Sequence, residues 1–273
     1  ATGMLATSDD SDVRTANQTA QANRAGIDVS GAATLLNLPA GTSASIGDAT
    51  ITAGGTVGVN GRDQADMHLT TGAISAGLVG LGAGIGVATI ETGNTAQVVG
   101  ASTITAAAVT VAATTTHTLS AASRAGTGGL AAAAEADVAV LADNSDSVAF
   151  IAGDTLVVSG AVNVEAATTR SATASAKGAA VAGGAAIGIS LADASIGGEV
   201  EAYLGTSGGQ GVTIGSAGSR ASDVTISATS TDSASADAVA DAGGIGVAGE
   251  GASASASSAP VVSAYLDGSA VFT

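Results

Sequence analysis

The amino-acid sequence predicts an all-β, repetitive fold: a β-solenoid, or wide β-helix, of about five coils. Three observations lead there: a composition dominated by small side chains, two marker phrases that recur at a fixed separation, and an alternation of side-chain character with period two. The alternative that the same observations allow is an antiparallel stack, a β-sandwich or prism in which each copy folds back as a hairpin at Gly128–Gly129, Gly183–Gly184 and Gly243–Gly244.

Composition sets the first bound. Of 273 residues 46% are hydrophobic but only 1% aromatic, with 40 Gly, 2 Pro and neither Cys nor Trp. Large side chains supply most of the buried area in an ordinary core. Their scarcity favours close packing of small residues between stacked sheets. The net charge of −16, from 23 acidic and 7 basic residues, argues against nucleic acid, whose binding requires clustered Lys and Arg. It also disfavours electrostatic docking on anionic membranes. The start, "ATGMLATSDD", has no basic n-region and no apolar h-region, so the sequence reads as a mature chain or an excised segment of a longer one.

The repeat is the second observation. An apolar-x-apolar phrase occurs as "VGVNG" from Val57, "VTVAA" from Val109, "VNVEA" from Val162 and "VTISA" from Val224, at intervals of 52, 53 and 62 residues. A second phrase occurs as "TAQVVG" (95–100), "VAFIAG" (148–153), "EAYLG" (201–205) and "SAYLDG" (263–268). Val109 to Phe150, Val162 to Tyr203 and Val224 to Tyr265 are each 41 residues, and Val57 to Gln97 is 40. Upstream, "SASIGDATITAGG" (43–55) matches "AQVVGASTITAAA" (96–108), which makes the N-terminal region an atypical copy. The chain is therefore one repeat array with approximate copies 1–56, 57–108, 109–161, 162–223 and 224–273. The long interval arises in "TSGGQGVTIGSAGSRASD" (206–223), a Gly/Ser-rich stretch expected to be a loop insertion.

Alternation is the third. "RSATASAKGAAVAGGAAIGISLADASI" (170–196) runs small apolar against polar or Gly with period two, which argues for strands. Ala favours helix, but the many Gly, Thr, Ser and Val and the lack of a 3.6-residue stripe outweigh it. Stacked coils then place Val57, Val109, Val162 and Val224 in one column and Val59, Val111, Val164 and Ile226 in the next. Ile46, Val98, Ile151, Leu204 and Leu266 form an aliphatic ladder, beside an aromatic one of Gln97, Phe150, Tyr203 and Tyr265.

One segment invites a membrane reading. "LTTGAISAGLVGLGAGIGVATI" (69–90) is uncharged and long enough to span. Its counterparts in other copies carry Glu135 and Asp137, or Asp241 and Glu250, so no membrane span is expected.

The cadence "VNVEA…AKGAAVAGGAAIGIS…VEAYLG…VTI" resembles the tandem repeats of giant bacterial surface and secreted proteins, the leukotoxin-type filamentous adhesins and related large exoproteins. The resemblance spans nearly the whole chain from about residue 12. It implies an extracellular or cell-surface location and an elongated, β-rich role in adhesion or architecture.

Chemistry is sparse. His68 and His117 lie 11 and 8 residues past their anchors, build no common site, and are expected to be exposed. Glu199 and Glu201 share a strand face and read as a solvated edge, not a glycosidase pair. "GLGAGIG" (80–86) lacks the Lys-Ser/Thr of a phosphate loop and reads as strand packing. Structural calcium at Asp9, Asp10 and Asp12, or at Asp143 and Asp146, is disfavoured because neither group recurs; "GGIGVAGEG" (243–251) lacks the aspartate of a calcium-binding nonapeptide. The threonine rows 50–53, 103–105 and 113–118 are too irregular for an ice- or glycan-binding array. No catalytic, cofactor or metal residue is assigned, and no enzyme is expected. The expected function is a structural segment of an extracellular bacterial fibre, filament or stalk that associates with itself, laterally or through the unpaired edges of its end coils. The alternative is an adhesin module that binds a surface receptor or glycan, with 206–223 as its candidate loop.

Overall fold

A computed structural model describes residues 4–10, 26–205, 211–267 and 270–273. Among them the fold is all-β with parallel sheets. Repetition of Val, Thr and Ile at alternate positions explains the strands, because branched side chains pack well on a pleated surface.

The path is clearest in one copy. Strand β4 (Thr56–Val99) runs outward to Gly77, reverses where its register shifts between Gly77 and Val79, and returns. It follows β1 (Met4–Asp10), β2 (Ile27–Gly47) and the short β3 (Thr50–Thr52). A second short strand, β5 (Thr103–Ala106), leads to β6 (Ala108–Asp143), which repeats the excursion and continues through β7 (Asp146–Ala152) and β8 (Thr155–Val158). The next copies comprise β9 (Ala161–Ala182), β10 (Ala185–Ile196), β11 (Glu199–Leu204) and β12 (Thr213–Ile214), then β13 (Asp223–Gly244), β14 (Val247–Ser258), β15 (Val261–Leu266) and β16 (Val271–Phe272). The short β3, β5, β8, β12 and β16 form a five-stranded sheet, and the others form an eleven-stranded one.

Every ladder between these strands is parallel. Val57 pairs with Val109, Val109 with Val162, and Val162 with Val224. Ile46, Val98, Ile151, Leu204 and Leu266 form a continuous ladder. The antiparallel stack is thus overturned: among the described residues the one antiparallel pairing is the isolated bridge Ser216–Ser219. The chain does reverse near the Gly-Gly pairs, but the two limbs face each other through side chains, and their backbones hydrogen-bond to the copies before and after. This arrangement is compatible with a β-solenoid.

Corners need a residue tolerant of positive φ. Gly100, Gly153 and Gly205 supply it at φ 91°, 82° and 88°, whereas the first copy uses Asp48 at φ 48°, one of the few side chains that tolerates this region. The insertion is not simply a loop: Val212 and Ile214 are buried in the core, and β12 pairs with β8 and β16. Residues 206–210 lie outside the described residues.

The interior is layered along the limbs. Nearest the short sheet lies an aliphatic cluster containing Val98, Ile104, Val111, Ile151, Leu156 and Leu204. Farther out, Leu69, Ile90, Leu119, Leu141 and Ile196 form a second one. Small alanines (Ala73, Ala125, Ala133, Ala180) fill the far end. Val98, Ile151 and Leu204 of the aliphatic ladder are buried, Ile46 is half-buried and Leu266 in the last coil is exposed; the aromatic ladder is on the outer side, with Phe150 and Tyr203 half-buried and Tyr265 exposed. Phe150 stacks on Tyr203 at 4.8 Å and Tyr203 on Tyr265 at 5.1 Å.

Candidate functional site

Polar side chains are buried between the two aliphatic clusters. Counting explains how they arrive there. Side chains alternate from each inward anchor, so an even offset points inward. His117, Arg170 and Asp232 each lie eight residues past Val109, Val162 and Val224, and Asp63 lies six past Val57. Accordingly Ala65, His117, Arg170 and Asp232 stack in one column, beside that of Asp63, Thr115, Thr168 and Ser230.

His117 sits between two carboxylates. Its Nδ1 is 2.8 Å from Asp143 Oδ2 and its Nε2 3.3 Å from Asp63 Oδ2, and its side chain is fully buried. Burial opposes the imidazolium, but the hydrogen bonds and charges of Asp143 and Asp63 outweigh it and raise its pKa to about 9. Burial pushes both carboxylates up as well. Contact with His117, helped by Thr92 at Asp63 and by Ser145 and the Arg170 charge at Asp143, leaves both below the ordinary aspartate value. Thr92 Oγ1 donates to Asp63, and Ser145 Oγ donates to Asp143 at 2.6 Å.

Arg170 completes the belt. Its Nε and Nη2 donate to the two oxygens of Asp232 at 3.1 and 2.9 Å, and its Nη1 donates to the carbonyls of Ser145 and Gly197 at 3.0 and 2.6 Å. A planar guanidinium suits this fork-to-fork pairing. Asn94 Nδ2 donates to the Thr114 carbonyl at 2.9 Å, and Gly61 leaves the space that Asn94 occupies.

A second polar group lies nearer the far end. Asp137 accepts from Ser123 Oγ and from the Ala125 amide, both at 2.6 Å, yet burial still raises it to about 6. Glu135 is buried with neither carboxylate oxygen hydrogen-bonded. Burial, then the charges of Asp137 and Asp241, raise it to about 7.

The first belt is poorly arranged for catalysis. An imidazolium that donates from both nitrogens has no lone pair for general-base work. Ser145 bonds to the acid and not to the ring, so the order Ser–Asp–His–Asp is not that of a nucleophilic triad. What the arrangement can do is specify register. An Ala/Gly ladder pairs almost equally well after a two-residue slip, whereas buried ion pairs do not.

The expected exposure of the histidines holds for His68 alone, which is exposed and contacts Ser120 Oγ at 2.6 Å and Asp66 at 3.3 Å. His117 corrects that reading, because its even offset turns it inward. Glu199 and Glu201 lie on the outer side of β11. Asp143 and Asp146 do not converge on one site: Asp143 turns to His117, and Asp146 accepts from the Glu199 amide at 2.7 Å. Asp12 lies outside the described residues. No group of three or more His, Cys, Asp or Glu among the described residues could hold a metal ion. Thr50, Thr103, Thr155 and Thr213 align in one column, but a second Thr follows only at Thr52 and Thr105. No described helix is long and apolar enough to cross a membrane.

Arg170, Asp232, Asp63 and Asp137 were missed as a group by motif reading; the parity of their offsets is the signal that finds them. Comparison with protein-family models, curated proteins and solved structures yields no match.

Proposed function

We propose that this chain is a structural repeat segment, a β-solenoid of about five coils, from an extracellular bacterial fibre, filament or stalk that associates with itself. The observation that carries the reading is the continuous set of parallel ladders running through every copy, with the polar groups of the interior used to lock one coil on the next. Buried ion pairs, an outward aromatic stack and a low content of charged residues suit a building element. The extracellular, bacterial setting rests on the resemblance to filamentous adhesins.

Negative-stain electron microscopy of the purified chain tests it. Fibrils, ribbons or defined assemblies of solenoid units are expected. Discrete single copies at every concentration, together with saturable binding to one glycan or receptor, would replace this reading by that of an adhesin module.

A further inference from the structure

We infer that the open edge of the last coil is the surface by which one copy of this chain stacks on the next, end to end, with the N-terminal coil of the second copy laid on it as a further parallel rung. This rests on the self-association proposed above and gives it a surface and a direction.

At the C-terminal end the core is cut open. Strands β13, β14, β15 and β16 each pair on one side only, with β9, β10, β11 and β12. The columns show the consequence. Val200, Leu204 and Ile214 are 0%, 0% and 2% exposed, whereas Val262, Leu266 and Phe272, one rung farther in the same columns, are 44%, 49% and 51% exposed. Everywhere else in the molecule such a column is closed by one more coil in the same register. Among the inward side chains of the last coil only Asp232 and Glu250 are charged, and Asp232 already accepts from Arg170 through both oxygens.

The N-terminal coil of a second copy fits this edge. Strands β1, β2 and β3 also pair on one side only, with β4 and β5. Continuing the ladders by one rung sets 27–38 on 247–258 and 41–46 on 261–266. It sets 50–51 on 271–272 and 4–10 on 226–232. Ile27 to Ile46 and Val247 to Leu266 are each 19 residues, so the returning limb stays in register throughout. Large side chains then meet small ones, Leu36 on Ala256 and Leu38 on Ser258. Ile46 extends the aliphatic ladder beyond Leu266, and Ser30, whose buried Oγ has no partner, falls on Glu250.

The contact takes twelve residues of β14, six of β15, two of β16 and seven of β13, 27 in all. At about 3.3 Å per residue and a depth of about 6–10 Å, that is roughly 530–890 Å² per copy, or roughly 1,100–1,800 Å² in a pair. A specific interface needs roughly 1,000 Å², and a parallel rung adds a backbone ladder to the buried area. One bond of that ladder is denied. Asn144, Gly197 and Ala259 donate their amides to the coil before them at 2.8, 2.8 and 2.9 Å. In the first coil this row is held by Pro39, which has no amide to offer the Ser258 carbonyl. Because the two edges differ, the contact is heterologous and copies add in a line.

Sedimentation velocity of the full chain from about 1 to 100 µM, a range that brackets a micromolar Kd, with negative-stain imaging of the same samples, tests this. Wild type should form linear assemblies that lengthen beyond two copies as concentration rises. Ala254→Lys/Ala256→Lys puts two ammonium groups on the inward side of β14. It should weaken association at least about 100-fold, since both would be desolvated without partners. Ser253→Lys/Ser255→Lys, with the same charge on the outward side of that strand, should not. All four positions are exposed, so folding should persist, as unchanged β-type circular dichroism would show. Pro39→Ala restores the missing donor and should tighten association by about 2- to 10-fold. Assemblies that persist in Ala254→Lys/Ala256→Lys, that both lysine pairs weaken equally, or that Pro39→Ala leaves no tighter overturn the end contact, while leaving the fibre reading intact with contacts elsewhere. Growth that stops at two copies overturns it as well, since two like ends would then meet. Wild-type chains that stay single overturn both.

Discussion

Glu135→Gln should make this protein more stable at neutral and alkaline pH while leaving it almost unchanged in acid. The Glu135 carboxylate enters space left by glycines: a Cβ at Gly178 would overlap it, and one at Gly188 would lie 3.2 Å from Oε2. Neither oxygen has a hydrogen-bond partner, and Asp137 and Asp241 add like charge. Its pKa rises from 4.5 to about 7, so between those values the folded chain holds a proton that the unfolded chain has released. Stability from this group is complete below pH 4.5 and is lost as pH rises through 7. At about 1.4 kcal/mol per pH unit, and allowing for relaxation around the site, ionisation costs about 2–3 kcal/mol. Glutamine keeps the shape and removes the charge. Guanidinium unfolding at pH 4.5 and pH 8 should show near-equal midpoints in acid and a gain of about 2 kcal/mol for the variant at pH 8. A variant no more stable than wild type at pH 8, or one whose gain is the same at both values, would refute the reasoning.

The other predictions concern the first belt and the aromatic ladder. His117 rises from 6.5 to about 9, so its contribution is intact below pH 6.5 and fades as pH climbs through 9. An imidazole NMR titration should place its midpoint near 9, and a midpoint near 6.5 would refute the flanking-carboxylate account. Arg170→Met should cost about 3–5 kcal/mol by stranding Asp232, and Arg170→Met/Asp232→Leu should cost clearly less. Additive losses in denaturant unfolding would show that the two do not act as a pair. Tyr203→Ala, which removes the middle ring of the Phe150–Tyr203–Tyr265 stack, should cost about 1–3 kcal/mol. A loss below about 0.5 kcal/mol, the scale of an ordinary surface substitution, would mean that the stack does not stabilise the fold.

Much of the architecture is legible in the residues. Intervals of 52 and 53 residues between Val57, Val109 and Val162 are the register of the ladders, because a parallel rung can bring equivalent positions together only at the repeat length. The aromatic column follows from the same count. The insertion was harder to read: its Gly/Ser content conceals Val212 and Ile214, two core residues in a stretch too short to show a period. The two histidines differ by parity: His117 lies an even eight residues past Val109 and turns inward, whereas His68 lies an odd eleven past Val57 and faces out, a difference that residue type alone does not reveal.

Sequence alone determined the strand period, the repeat length and which side chains share a column, since all three follow from spacing along one chain. Only the tertiary structure decided that the limbs face each other without pairing, that His117 meets Asp63 and Asp143, and that Glu135 fills the gap at Gly178. The reason is physical. A column joins residues one repeat apart, whereas contacts across the interior join opposite walls, and their alignment depends on where each limb turns and how closely two small-residue sheets approach.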